Sequence, residues 1–84
     1  MYSLRFGWKL RRIGRTVFLM NREKTLEISE LSYDLLRYLA RPRSLEDVTS
    51  FIFNFIEKPD RKALKRDMKE LLNFFKHLGA IRTN

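Results

Sequence analysis

Residues 16–29 read TVFLMNREKTLEIS, a pattern that predicts two strands joined by a turn and followed by a helix. Residues 16–20 are rich in β-branched, aromatic and large apolar side chains, which suits a strand covered on both faces. Residues 25–28 alternate polar and apolar side chains, so Leu26 and Ile28 are expected to face inward. The polar residues 21–24 predict a turn that joins two strands into a hairpin. Ser29 then predicts the N-cap of a helix.

The residues before this hairpin continue the alternation toward the N-terminus. Apolar side chains occupy every second position among basic and small residues: Tyr2, Leu4, Phe6, Trp8 and Leu10. A period of two predicts one strand with a buried face and a basic face, interrupted at Gly14 and Arg15. Together with the hairpin, this predicts a three-stranded antiparallel sheet at the start of the chain.

The rest of the chain repeats at helical spacing and predicts three helices. The first runs from Ser29 to about Ala40 and is ended by Pro42, whereas Ser44 and Asp47 form a capping box for the second. The predicted buried face of the second helix consists of Leu45, Val48, Ile52, Phe55 and Ile56. The third helix opens at Pro59-Asp60 and ends before Gly79. Its predicted core line consists of Leu64, Met68, Leu71, Phe75 and Leu78, with Leu72 at the border and Ile81 folded back after the helix.

Length and composition restrict the class of protein. Eighty-four residues predict a single domain over 1–84, of class α+β with a winged-helix-like order of elements. Without cysteine the chain has neither disulfides nor thiolate metal sites. No apolar run reaches membrane-spanning length and no signal peptide is apparent, so we expect a cytoplasmic protein. The net charge of +8 favours an acidic partner: nucleic acid, an anionic membrane or an acidic peptide.

The sequence offers no convincing catalytic or metal site. The single histidine, His77, lies on the polar side of the third helix near its C-terminal end, where the helix dipole favours a cation. The aspartates fall at caps or on charged helical faces, and the three glycines form no phosphate loop. We therefore predict a protein that is not an enzyme and that uses no cofactor and no metal.

A lysine stripe on the third helix is the main candidate for a binding surface. Lys62, Lys65, Lys69 and Lys76 project to one side, next to Leu72. Such a stripe is often a solvated face, and this interpretation stays open beside a functional one. In the functional interpretation it is a basic shelf that holds phosphates or an acidic amphipathic peptide. Phe51, Phe53 and Phe74 lie outside the predicted core lines of their helices. They belong either to the core or to a binding surface.

Three helices and a hairpin also suggest a winged-helix nucleic-acid-binding protein, which we keep as the alternative. In such proteins the wing follows the recognition helix, yet only five residues follow Gly79. Base recognition relies on Arg, Asn and Gln, whereas the third helix presents mainly lysine, which suits phosphate contacts without sequence specificity. Attachment of residues 5–15 to an anionic membrane needs an amphipathic helix, which the alternation opposes.

The edge of the sheet supplies a third candidate. A peptide can add itself to an open strand, with main-chain hydrogen bonds for affinity and neighbouring pockets for specificity. Thr25 to Ile28 is short and enters the first helix directly. The sequence leaves open which strand is outermost, and edge strands that pair with themselves would give a homodimer.

Three stretches resemble the PqqD-like family of leader-peptide recognition domains, which serve ribosomally made and modified peptides. The first is residues 17–19 followed by 25–29, the second residues 35–39 and 43–48, and the third Asp67-Met68, residues 71–72, Phe75 and residues 79–81. The resemblance covers residues 8–81. The chain departs from it at Arg41-Pro42, where many relatives have a glycine.

The resemblance implies a fold of three strands followed by three helices and a non-catalytic role. A precursor's leader peptide would pair with the third strand, in a groove against the last helix, and be presented to a separate modifying enzyme, often a radical-SAM protein. Carried over by position, the pairing strand is Thr25, Leu26, Glu27 and Ile28. The helix-three groove and basic shelf consist of Lys65, Lys69, Leu72, Phe75 and Lys76. Asp67 stands where relatives often have an aspartate.

Overall fold

The computed structural model describes residues 1–57 and 60–83. Within them, five strands and three helices follow one another along the chain: β1 (Tyr2–Leu4), β2 (Lys9–Ile13), β3 (Thr16–Met20), β4 (Thr25–Ile28), α1 (Glu30–Tyr38), α2 (Leu45–Phe53), α3 (Arg61–Leu78) and β5 (Ile81–Thr83). The predicted α+β class, with a three-stranded antiparallel sheet before three helices, is confirmed.

The three-stranded sheet has the order β2-β3-β4, and both of its pairings are antiparallel. Strands β3 and β4 begin and end at the residues that the sequence predicts. In the register, Phe18 of the central strand lies opposite Arg11 on one side and Glu27 on the other. Gly14 has a φ of 62° in the turn between β2 and β3, a conformation that glycine adopts at little cost. The sheet therefore has two outer strands, β2 and β4.

The prediction of one continuous first strand was wrong. The chain turns between β1 and β2, where the Trp8 N–H donates to the Arg5 carbonyl and Gly7 has a φ of 95°. The resulting strands belong to different sheets, because β1 pairs with β5 and β2 pairs with β3. Alternation continues through the turn, so a period of two alone gives no sign that the strand is broken.

Strand β5 was not predicted, although the predicted burial of Ile81 is confirmed. It runs antiparallel to β1, with Tyr2 opposite Thr83 and Leu4 opposite Ile81. The Leu4 N–H also donates to the carbonyl of Leu39, at the end of α1. Five residues after a helix are enough for one strand when a partner strand from the other end of the chain is available.

The predicted helix caps are confirmed. The Ser29 hydroxyl accepts a hydrogen bond of 3.1 Å from the Ser32 N–H, although α1 ends at Tyr38, two residues before the predicted limit. In α2, the Ser44 hydroxyl accepts from the Asp47 N–H, and the Asp47 carboxylate accepts from the Ser44 N–H, each at 3.0 Å. The bond from the Ser44 main chain, followed by that from its side chain, lowers the pKa of Asp47. These caps satisfy N–H groups that the helices leave unpaired.

Two details of the predicted buried faces were wrong. Helix α2 ends at Phe53, so Phe55 and Ile56 leave its buried face and are 61% and 37% exposed. In α3, Leu72 is fully buried, whereas Leu71 and Leu78 of the predicted core line are only partly buried. The side of α3 that carries Leu72 is covered because α2 packs against it. Asp60 caps α3 and Gly79 ends it with a φ of 91°, whereas Pro59 lies outside the described residues.

The core lies between the inner face of the three-stranded sheet and the helices. Its buried members come from β3, all three helices and β5: Leu19, Leu35, Leu36, Leu39, Val48, Ile52, Leu64, Met68, Leu72, Phe75, Ala80 and Ile81. Helix α1 packs on β2 and β3, and α3 packs chiefly on α2 and β5. Strand β4 therefore depends on β3 for its position and keeps its other edge away from the main helix contacts.

Candidate functional site

Strand β4 is an outer strand with one paired edge and one open edge. Its residues Thr25, Leu26, Glu27 and Ile28 pair with β3, and no described strand pairs with the other side. The turn before it is held by the Asn21 side chain, whose carbonyl oxygen accepts from the N–H groups of Glu23 and Lys24 at 2.8 Å and 2.7 Å. This turn fixes where the strand begins.

The hydrogen-bond pattern shows which main-chain groups of β4 face the open edge. The Asn21 N–H donates to the Lys24 carbonyl at 2.9 Å, which makes this the hydrogen-bonded pair that closes the hairpin. Because such pairs alternate in an antiparallel ladder, Leu26 and Ile28 bond to β3, whereas Thr25 and Glu27 point their N–H and C=O groups away from it. Among residues 1–57 and 60–83, no main-chain group bonds to these four outward groups. The outward groups of Thr25 and those of Glu27 lie about 7 Å apart along the strand.

The side chains of β4 divide between the two faces of the sheet. Leu26 and Ile28 share the inner face and are half-buried, and Ile28 packs against the core. Thr25 and Glu27 lie on the outer face and are exposed. The expected inward orientation of Leu26 and Ile28 is therefore confirmed. Any strand that pairs here would place alternate side chains beside this apolar pair and beside Glu27.

The opposite edge of the sheet is occupied differently. The Arg12 guanidinium of β2 donates to both carboxylate oxygens of Glu30, at 2.7 Å and 2.8 Å, and lies 5.1 Å from the Tyr33 ring centroid. The hydrogen bond from Arg12 lowers the pKa of Glu30. The inner face at this edge carries Leu10, which packs against the core, and the Arg12–Glu30 ion pair, and α1 packs against the strand.

The basic shelf of α3 is present, but it borders α2. Leu45 at the start of α2 and the cations of α3 line an open hollow of about 330 Å³: Lys62, Lys65, Arg66 and Lys69. Lys65 forms an ion pair with Glu46. The hydrogen bond that Lys65 donates within this pair is the main cause of the lowered pKa of Glu46. No β4 residue is among the described residues that line the hollow. The hollow and the strand edge are therefore lined by different residues.

The other predicted helix residues take different positions. Leu72 is 0% exposed and Phe75 is 2% exposed, so both belong to the core and offer almost no surface to a ligand. Lys76 is exposed, but it does not line the hollow. Asp67 lies 3.9 Å from the Arg66 guanidinium and both are exposed, and His77 contacts the Asn73 carbonyl at 2.8 Å.

The phenylalanines outside the predicted core lines separate into two groups. Phe51 stacks on Tyr38 with ring centroids 4.1 Å apart, and Phe53 packs against the core beneath the Arg61 guanidinium. Phe74 is 59% exposed and contacts Phe75 edge to face. Phe74 is therefore the apolar side chain that α3 leaves at the surface. Leu72 lies equally far from the core line on the opposite side of α3 and is buried, so the helical angle alone does not predict which of the two is exposed.

The described residues include neither a candidate metal cluster nor a helix that could span a membrane. Within residues 1–57 and 60–83, no three acidic or histidine side chains gather closely enough to hold a metal ion. None of the helices in this part of the chain combines the length and the apolar character that crossing a bilayer requires.

Among known proteins, the chain is similar in fold to two solved complexes. No protein-family model matches the chain, and no curated protein matches it. The structure of lasso peptide synthetase B1 complexed with the leader peptide has a TM-score of 0.80 and 18% identity, over 98% of both chains. That of TbiB1 in complex with the TbiA(beta) leader peptide has a TM-score of 0.81 and 13% identity, over 98% of this chain and 96% of the other. This chain thus has the fold of two proteins that were solved with leader peptides.

Proposed function

We propose that this protein binds the leader segment of a precursor peptide as an added strand on β4 and presents it to a separate modifying enzyme. The observation that carries the proposal is the open edge of β4. There the main-chain groups of Thr25 and Glu27 point outward, beside the half-buried Leu26 and Ile28. Strand addition uses such groups for affinity and neighbouring side chains for specificity. The likeness to two leader-peptide complexes supports this choice of ligand.

The α3 residues take a secondary part in this proposal. Lys65, Lys69 and Lys76 attract acidic stretches of the same peptide outside the paired segment, because exposed lysines act over about a Debye length. Leu72 and Phe75 hold α3 in place from the core and are not contact residues. The protein itself carries out no chemistry, and the modifying enzyme supplies the catalytic groups.

A pair of proline substitutions tests the proposal. Glu27→Pro removes an outward N–H of β4, and Arg12→Pro does the same on β2, where the alternation also directs the main-chain groups of Arg12 away from β3. Proline at an outward-facing N–H of an edge strand leaves the ladder intact. Fluorescence anisotropy with labelled short peptides encoded beside this gene measures affinity, and circular dichroism checks the fold.

We expect Glu27→Pro to weaken peptide binding about 10- to 100-fold, because a hydrogen bond is lost and its partner is left unsatisfied. Arg12→Pro should bind as the unaltered protein does. Equal affinities for the two variants would remove β4 as the binding strand. Sedimentation of the free protein tests whether β4 pairs with a second copy; a dimer that persists in saturating peptide would also contradict the proposal.

The hollow between α2 and α3 keeps nucleic-acid binding as a second candidate function. Four cations line it, and within residues 1–57 and 60–83 only Lys65 and Arg66 among them have carboxylate partners. This candidate predicts an affinity that falls steeply with salt, with a log–log slope near the number of phosphates neutralised. Gel-shift titrations with duplex and single-stranded DNA and RNA at low salt test it. Absence of any complex would exclude it.

A further inference from the structure

The outward side chain of Glu27 suggests which peptides the β4 edge accepts. We propose that Glu27 selects a cationic residue in the added strand, so that the preferred guest carries Lys or Arg between two apolar residues. This inference rests on the proposed function and specifies the substrate class of the same site. It assigns specificity to one side chain, whereas the affinity itself comes from the main chain.

The register of β4 places Glu27 on the face opposite its two apolar neighbours. In the β3–β4 register, Leu26 lies opposite Leu19 and Ile28 opposite Val17, on the inner face. Glu27 lies between them on the outer face. A guest strand continues the same pleat, so its residues beside Leu26 and Ile28 are apolar and the residue between them shares the face of Glu27. This holds for a parallel and an antiparallel guest, because in both the neighbouring side chains on one face lie together.

The Glu27 carboxylate is exposed and has no ion-pair partner among the described residues. Its neighbour across the ladder is Phe18, which carries no charge, and the nearest basic residue in that row, Arg11, is two strands away, at about 10 Å. A guest cation directly opposite would bring its Cβ within about 5 Å of the Glu27 Cβ. A guest cation in that row would therefore lie closer to Glu27 than Arg11 does.

A simpler explanation of Glu27 is that any charge at a sheet edge prevents self-pairing. Under that explanation a lysine at position 27 would serve as well as the glutamate, and the guest strand would show no preference for a charged residue. The two explanations thus differ in what a charge reversal does. The reversal also leaves the backbone donors of β4 in place, so it changes selectivity without removing the edge.

The experiment selects binders from a random ten-residue peptide library on immobilised protein. Four proteins are compared: the unaltered chain, Glu27→Lys, Glu27→Gln and the control Glu23→Lys. Glu23 is an exposed carboxylate in the turn before β4, so its reversal changes the net charge equally without altering the strand. Circular dichroism establishes that each variant is folded.

For the unaltered chain and Glu23→Lys we expect enriched peptides with Lys or Arg between two apolar residues. Glu27→Lys should enrich Asp or Glu at that position, and Glu27→Gln should enrich neither. Opposite charges across a ladder change affinity by about two- to fivefold, and like charges by a similar factor. The same central preference for the unaltered chain and Glu27→Lys would overturn this inference while leaving strand addition intact. Enrichment of no period-two peptide, or binders that tolerate Glu27→Pro, would instead overturn the proposed function.

Discussion

The two edges of the three-stranded sheet differ although both are outer strands paired to β3. On β2, Arg12 directs its main-chain groups away from β3, and its side chain bonds Glu30 and lies over the Tyr33 ring. Helix α1 also packs against this strand. At β4, the inner face carries Leu26 and Ile28, and the outer face carries a carboxylate without an ion pair among the described residues. The main-chain groups are equivalent at the two edges, so the edges differ in their side chains.

The basic shelf and the open strand edge lie on different elements of the fold, α3 and β4. The net charge of +8 first directs attention to the α3 lysines, yet the hollow that they line faces α2. The β4 edge combines main-chain donors and acceptors with partly buried apolar side chains. Under the proposed function, a guest is recognised at this edge by shape and hydrogen bonds, and long-range charge contributes to the encounter.

The largest expected effect comes from the strand that both edges share. Leu19→Ala in β3 removes a fully buried side chain and should lower the free energy of unfolding by about 2–5 kcal/mol. Urea denaturation followed by circular dichroism measures it. The control Ile13→Ala truncates an exposed side chain of β2 and should change stability little. Equal effects of the two substitutions would show that β3 does not anchor the sheet.

The next effect should distinguish the edges directly. Leu26→Lys places a charge on the apolar inner face of β4, so peptide affinity should fall about 10- to 100-fold, the equivalent of one buried aliphatic side chain. Ile13→Lys makes the same change at an exposed position of β2 and should leave affinity unaltered. Fluorescence anisotropy measures both. Equal losses would mean that the inner face of β4 does not contact the peptide.

A smaller effect should come from the shelf. Lys69→Glu should weaken binding of an acidic precursor peptide by about fivefold at low salt, as expected for an exposed charge. The difference should vanish near 1 M salt, where the Debye length is about 3 Å. Lys9→Glu on β2 is the charge-matched control. A loss that persists at high salt would indicate a direct contact instead of long-range attraction.

The smallest effect concerns the ion pair at the β2 edge. Its hydrogen bonds depress the pKa of Glu30 below the ordinary value of 4.5, so the pair stabilises the fold above that pH. This contribution is lost as the pH falls through the lower folded pKa. Arg12→Ala should therefore destabilise the fold slightly at pH 7 and not at strongly acidic pH, and NMR titration should show the pKa of Glu30 returning toward its ordinary value. Unchanged titration of Glu30 would contradict the pairing.

Local signals in the sequence were sufficient for much of this structure. The bounds of β3 and β4, the Ser29 cap and the Ser44–Asp47 capping box each depend on residues within four positions of one another. They could be predicted because turn and cap geometry is set by neighbouring side chains. The candidate strand of the site belongs to this group.

The features that the sequence did not reveal depend on distant partners. The break at Gly7 is only needed because β1 pairs with β5, and the full burial of Leu72 follows from α2 covering one side of α3. The neighbour of the basic shelf could not be predicted for the same reason. Helical spacing gives the side of α3 on which Lys65 lies, but not the element that packs beside it. Whether Thr25 and Glu27 point outward likewise depends on the ladder that β3 establishes.

The pairing of β1 with β5 has a consequence for folding. Tyr2 lies opposite Thr83, so this contact closes a loop of nearly the whole chain and carries the largest loop-closure entropy in the fold. It should form late, after the local hairpin and helices. A short linker that joined the two ends would restrict the unfolded ensemble while leaving the folded contacts unchanged. Such a circular chain would be harder to unfold, with the β4 edge still open to a guest.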